Sequence, residues 1–314
     1  VALSIEEILR KRISLLENAP SLFEQAVEAN QRKILIQVLK DLGSLDTKAG
    51  FLTTTATNLR KLDNIIAKLR DVLLKGDYLE TVRSFAKSFD EAASLSDQYF
   101  KKAFADYEPS DLAKEILKRN KRAAIEQLIG SPLDAQFIRP VEGILDNAVS
   151  TGASWRDTVK AIEDFITGDS QRHGKLLSYT KQIVSDTLSI TDAVYSNQAA
   201  MELEAVWWFY TGGIIQDTRC FCEQRNNKYF HQKEVEAWGR GETEEGDLES
   251  CGFPWQGMIP QTNEKTVFIL RGGYNCKHSL IPVSAVVVPR DVLERNIDNG
   301  NFEPSDFERT ELGL

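Results

Sequence analysis

Residues 205–210, Ala205-Val206-Trp207-Trp208-Phe209-Tyr210, divide the chain into two kinds of sequence. The run is short and aromatic, and Gly212-Gly213 follows it. That is the composition of a strand entering a turn. Upstream, the chain reads as helix after helix. Downstream, Thr266-Val267-Phe268-Ile269-Leu270 reads as a second strand, again ahead of a glycine pair, Gly272-Gly273. Ile281-Pro282-Val283 and Val286-Val287-Val288 read as a third, interrupted strand. Residues 231–239 read as a short helix ending at Gly239. Residues 240–257 hold five acids between Glu242 and Glu249 and read as an exposed loop. From Arg290 onward the pattern gives one short helix and a polar tail, expected to order against a partner.

The helical reading rests on apolar residues at helical spacing between caps and breakers. Ser4-Ile5-Glu6-Glu7 is a capping box, followed by a stripe of Ile5, Ile8, Leu9 and Leu16. Asn18-Ala19-Pro20 is expected to end that helix, and Ser21-Leu22-Phe23-Glu24 to open the next, which stops at Gly43. Further helices are expected over about 52–75, 78–105 and from Ser110 to Gly130. Another begins at Ser131-Pro132, and Pro140 is expected to kink or divide it. The last two run from Ser154 to about Gly168 and over about 170–200. The stripes are expected to pack a core. The expected fold class is therefore α+β: a predominantly α-helical body over 1–200, a small C-terminal mixed α/β module over 201–290, and a tail over 291–314.

Bulk properties narrow the partners. The chain has 314 residues and a net charge of −9. Residues 205–314 carry 11 Lys/Arg against 17 Asp/Glu, so most of the acidity lies in the module and tail. A nucleic-acid grip needs a basic surface to displace counterions, so charge does not support one. No apolar run is long enough to span a membrane. The first residues lack the charged-then-apolar order of a secretory signal, so synthesis in a cytoplasm is expected.

The four cysteines, Cys220, Cys222, Cys251 and Cys276, all lie in the module. In an extended chain, positions i and i+2 face the same way. Cys220 with Cys222, and Cys276 with His278, can then each face one point. Together these four would suit tetrahedral zinc as a structural clip, with His231 and Cys251 as reserve ligands. Two other readings stand beside this one. The cysteines can be small buried hydrophobes with His278 bonded to a backbone carbonyl, or they can form a disulfide outside a reducing compartment.

The same segments carry a family resemblance. A Trp-containing strand, Trp207 to Tyr210, precedes an Asp-x-Arg-x-x-Cys turn within Asp217 to Cys222. A Lys-aromatic-Phe step, Lys228 to Phe230, comes next. A Gly-x-Asn-Cys-basic-His-Ser segment then closes on a Pro-Val strand, within Gly273 to Val283. This order resembles the C-terminal module of the Mu-F-like head morphogenesis proteins of tailed phages, which also carry a long helical region before it. The likeness covers roughly residues 200–290. Members often carry more Cys and His near the final segment than Cys276 and His278. The resemblance implies a structural minor capsid protein of the virion, made in the host cytoplasm and present in multiple copies. It would associate with the portal or the major capsid protein, inside the head or at the portal vertex, and act in head assembly, packaging or genome delivery.

Enzyme readings find less support. A nucleophile needs a base in reach, and the only histidines are His173, His231 and His278. Asn275-Cys276-Lys277-His278 could belong to a metal-dependent nuclease, but no second His-rich strand or basic groove is visible. Glu242-Thr243-Glu244 has the paired-acid spacing of ADP-ribosyltransferases, but sits in an acid-rich loop. No phosphate-binding loop ending Gly-Lys-Ser/Thr occurs. The alternative to a structural protein is a metal-dependent nuclease or transferase delivered with the genome.

Overall fold

The computed structural model describes residues 3–104, 107–242 and 251–314. Helix α1 spans Ile5–Leu42 and a two-stranded hairpin follows, β1 Thr47–Lys48 with β2 Phe51–Leu52. Next come α2 (Ala56–Lys75), α3 (Asp77–Ala103), α4 (Asp111–Ile129) and the single turn α5 (Ser131–Leu133). A π-helical turn, Asp134–Ile138, leads into α6 (Arg139–Thr151), then α7 (Trp155–Thr167) and α8 (Lys175–Glu202). The rest holds β3 (Trp207–Thr211), α9 (Cys220–Arg225), β4 (Lys228–His231), α10 (Gln232–Arg240), α11 (Val267–Leu270), β5 (Ser279–Val283), α12 (Arg290–Asp298) and α13 (Asp306–Leu312). The described sheets have two and three strands, so the fold is α-rich α+β, as expected.

Several local expectations give way to tertiary packing. The helix does not end at Pro20: α1 runs through it. Leu16, Pro20, Phe23 and Val27 follow at helical spacing and all are buried. An interior proline costs about 3 kcal/mol, and burial of that stripe offsets it. Ser21–Glu24 therefore lies inside a helix rather than opening one. The Ser4–Glu7 capping box does form, with both reciprocal bonds present. Pro140 does mark an interruption, as expected: the helix from Ser131 is broken into α5, a π-helical turn and α6, which begins at Arg139. The turn before it widens so that Arg139 N–H reaches the Asp134 carbonyl.

Thr266–Leu270 is not a strand. Asn263 Oδ1 accepts from Lys265 and Thr266 N–H, and Val267 N–H bonds to the Asn263 carbonyl. This capping starts the short helix α11 despite the β-branched residues. Likewise, Ser284 caps a 3₁₀ turn at Ala285–Val287 where a strand was expected. His231 is the N-cap of α10, giving the helix expected there.

The chain forms two compact units that do not follow the sequence order of body, module and tail. One comprises Asn18–Ser88 and Asn120–Ser185. In it, Phe23 packs on Phe85, Tyr78 donates to the Leu128 carbonyl, and Gln31 bridges Ile166 and Leu177. The other comprises Val1–Glu17, Phe89–Arg119 and Asp186–Leu314. Here Arg12 and Asp192 form a buried two-pronged ion pair, 2.9 and 2.7 Å. Tyr99 donates to the Pro282 carbonyl on β5.

The three-stranded sheet, order β4-β3-β5 and antiparallel throughout, organises this second unit. Alternation along β3 sends Trp208 and Tyr210 into one core with Phe221, Cys222, Trp238, Trp255 and Cys276. Trp207 and Phe209 face another, built with Val288, Leu293 and Phe302. The tail, expected to order against a partner, thus orders against the chain's own sheet. Arg295 on α12 also pairs with Glu234 on α10 at 2.8 Å.

Candidate metal centre

Two turns bring sulfur and imidazole beneath the central strand. Arg219 precedes α9 and donates from Nη1 to the Gly272 carbonyl at 3.0 Å and from Nη2 to the Tyr274 carbonyl. The arginine of the Asp-x-Arg motif thus holds the glycine turn against the helix that carries Cys222. Gly273 and Asn275 take positive φ, 92° and 56°, which curls the chain so that Cys276 points inward. His278 follows just before β5 and is buried.

Among the described residues, Cys222, Cys276 and His278 offer ligand atoms that all lie within 4.8 Å of one another. Cys222 Sγ and Cys276 Sγ are 3.8 Å apart. Tetrahedral zinc with Zn–S bonds of about 2.3 Å separates two sulfurs by about 3.8 Å. The Tyr210 hydroxyl donates to Cys222 Sγ at 3.2 Å and lies 3.8 Å from Cys276 Sγ. Its ring stacks on the His278 imidazole, centroids 5.5 Å apart.

Three of the four expected ligands therefore meet; Cys220 does not join them. It is bonded to Cys251, one of the reserve ligands. The expectation assumed extended backbone at 220–222, but these residues form the first turn of α9. At about 100° per residue, i and i+2 on a helix point nearly opposite ways. Cys222 faces the core and Cys220 faces outward to Cys251. The other reserve ligand, His231, lies elsewhere, against Trp207 and Phe302. His173 is exposed. Of the paired-acid candidate, Thr243 and Glu244 lie outside the described residues.

The donor set fits a metal on three further observations. His278 Nε2 is buried and has no hydrogen-bond partner, an expensive state for a ring nitrogen. Gly272 borders the sulfurs so closely that a Cβ there would lie 2.3 Å from Cys222 Sγ and 2.9 Å from Cys276 Sγ. Gly212 similarly abuts the His278 ring. Gly212 and Gly272 are thus close-approach positions, and Gly272 lies in a turn as well.

Electrostatics favour one of the two sulfurs, that of Cys276, as an anion. The hydrogen bond from Cys222 pulls the Cys276 thiol well below its ordinary range; burial opposes this, while His278 and Arg271 add to it. Cys222 is pushed up as the donor of that bond and by burial. Arg271 is buried, donates to the Ser189 hydroxyl at 2.8 Å, and leaves its Nε without an acceptor. Arg271 carries no motif that sequence reading could use, and Tyr210 is legible only as part of a strand; the fold brings both here.

Comparison with protein-family models, with curated proteins and with solved structures returned no match.

Proposed function

We propose that this chain is a structural minor capsid protein of a tailed phage, whose module is clipped by zinc at Cys222, Cys276 and His278. One observation carries the reading. The segments that resemble the Mu-F-like module lie far apart in sequence, yet they assemble into one sheet and one core. Trp207–Tyr210 pairs with both Lys228–Phe230 and the strand closing at Val283. Cys222, Cys276 and His278 meet beneath that sheet. This convergence is what supports the reading. The acidic balance suits protein partners, the portal or the major capsid protein, better than DNA. No described helix is long and apolar enough to cross a membrane.

Bound zinc would supply cross-linking, tying α9 to the segment before β5 within the aromatic core. Cys222 and Cys276 would give thiolates, His278 a neutral imidazole, and the Tyr210 hydroxyl would hold one thiolate by a hydrogen bond.

Three ligands also leave a coordination position free, the feature that favours the alternative of a delivered metal-dependent nuclease or transferase. The adjoining cleft has room for about one water molecule, too little for the nucleotide-sized substrate of a nuclease or transferase. Mass spectrometry of purified particles made from the encoding genome tests the structural reading. The chain should be present at fixed copy number with portal and capsid proteins. Its absence from particles, or a nuclease or transferase activity lost in folded His278→Ala protein, would overturn it.

A further inference from the structure

Cys222 and Cys276 are the two free thiols, and their sulfurs stand 3.8 Å apart. A disulfide needs about 2.05 Å, so closing one takes a shift of under about 2 Å shared by two side chains. The neighbouring Cys220, on the same helix as Cys222, is already oxidised with Cys251. The module therefore holds one closed pair and one pair poised beside it.

The two sulfurs differ in access. Cys276 lines a cleft with Asp186, Ser189, Arg271 and Gly273, whereas Cys222 does not. The cleft has room for about one water. It admits only a very small oxidant or the narrow end of a larger one. Its wall offers one uncommitted donor for oxygen, the buried Arg271 guanidinium, whose Nε has no acceptor; the Ser189 hydroxyl already donates to the Cys276 carbonyl at 3.4 Å. An O–O group is small enough and accepts hydrogen bonds at both oxygens. The chemistry that fits is a hydroperoxide.

We propose that Cys276 is the site of first oxidation by a hydroperoxide and that Cys222 resolves it, closing a Cys222–Cys276 disulfide. In the first step Cys276 sulfur attacks the distal peroxide oxygen. The O–O bond breaks, and Cys276 becomes a sulfenic acid while the peroxide leaves as an alcohol or water. In the second, Cys222 sulfur attacks Cys276 sulfur, the S–O bond breaks, and water leaves with the Cys222 proton. One peroxide thus oxidises two thiols. A dithiol reverses the bond by exchange and becomes a disulfide itself. The regulatory consequence rests on the zinc reading: joined sulfurs cannot both serve as ligands, so oxidation releases the metal. The bond itself needs no metal.

The test is peptide mapping of the full chain after near-stoichiometric hydrogen peroxide, with free thiols blocked before digestion. Chelator-treated and zinc-supplied protein are run in parallel, and zinc is measured in each. The expected result is a Cys222–Cys276 cross-link, with loss of both free thiols and their return on adding dithiothreitol. A sulfenic-acid probe should label Cys276 in Cys222→Ser protein. Unreacted thiols, a Cys276 sulfinic acid without cross-link, a cross-link to Cys220 or Cys251, or probe on Cys222 in Cys276→Ser protein alone would overturn the proposal. The wild-type map stands even if a variant fails to fold. Bound zinc without a cross-link rejects this inference alone. A cross-link in protein that never takes up zinc rejects the zinc reading alone.

Discussion

Gly272 is the residue on which the site's geometry depends most sharply. Its missing side chain lets two sulfurs and the Tyr210 hydroxyl approach the backbone turn. A methyl group there must displace Cys222 Sγ from 2.3 Å or move the turn that Arg219 holds. Overpacking of this kind costs about 1–3 kcal/mol. Gly272→Ala should therefore lower the denaturant midpoint by that much and abolish metal uptake together. Unchanged stability with normal metal content would show that the sulfurs are not packed as described. Arg225, also buried, has a different task. It lies 4.0 Å over the Phe221 ring and 4.6 Å over Trp238, and stiffens the helix that presents Cys222.

At the scale of the element, helix α10 depends on an unusual cap. His231 Nδ1 accepts from Lys233 N–H, while the Glu234 carboxylate accepts from His231 N–H. The ring is buried against Trp207 and Phe302. Burial lowers the His231 pKa, and Glu234 opposes this more weakly. The folded value thus lies below the unfolded one, about 6.5. Between the two, the unfolded chain binds more protons. The histidine's contribution is complete above the unfolded value and is lost as pH falls through the folded one. Protonation also removes the acceptor that caps the helix. Wild-type protein should lose melting temperature between about pH 7.5 and about pH 5.5. His231→Asn, which keeps a capping acceptor without titrating there, should lose distinctly less. Parallel losses in both proteins would mean that another group carries the pH dependence.

At the scale of the whole molecule, the fold class was legible because helical periodicity runs nearly unbroken to residue 200 and then yields to an aromatic strand. Most helix ends were legible from Gly43, Gly76, Gly130 and Gly168. Pro20 misled, because burial offsets it, whereas Pro140 marked the π-helical turn that precedes α6. Thr266–Leu270 misled because β-branched propensity lost to capping by Asn263. In the site, Cys222, Cys276 and His278 could be singled out as residue types of the right chemistry. Their grouping with Cys220 failed because periodicity two belongs to strands and α9 is a helix. Tyr210 and Gly272 could be read as strand and glycine pair, but not as parts of the site, and Arg271 could not be read at all. They matter through proximity created by sheet pairing and a glycine turn, and neither leaves a mark on spacing.

The proposed metal centre consists of Cys222, Cys276 and His278, without Cys220. The most direct measurement is elemental mass spectrometry of the chain purified under reducing conditions, beside Cys220→Ser and His278→Ala. With that centre, the wild type should hold about one zinc per chain, Cys220→Ser the same, and His278→Ala little. Absence of metal from the wild type, or its loss in Cys220→Ser, would contradict it.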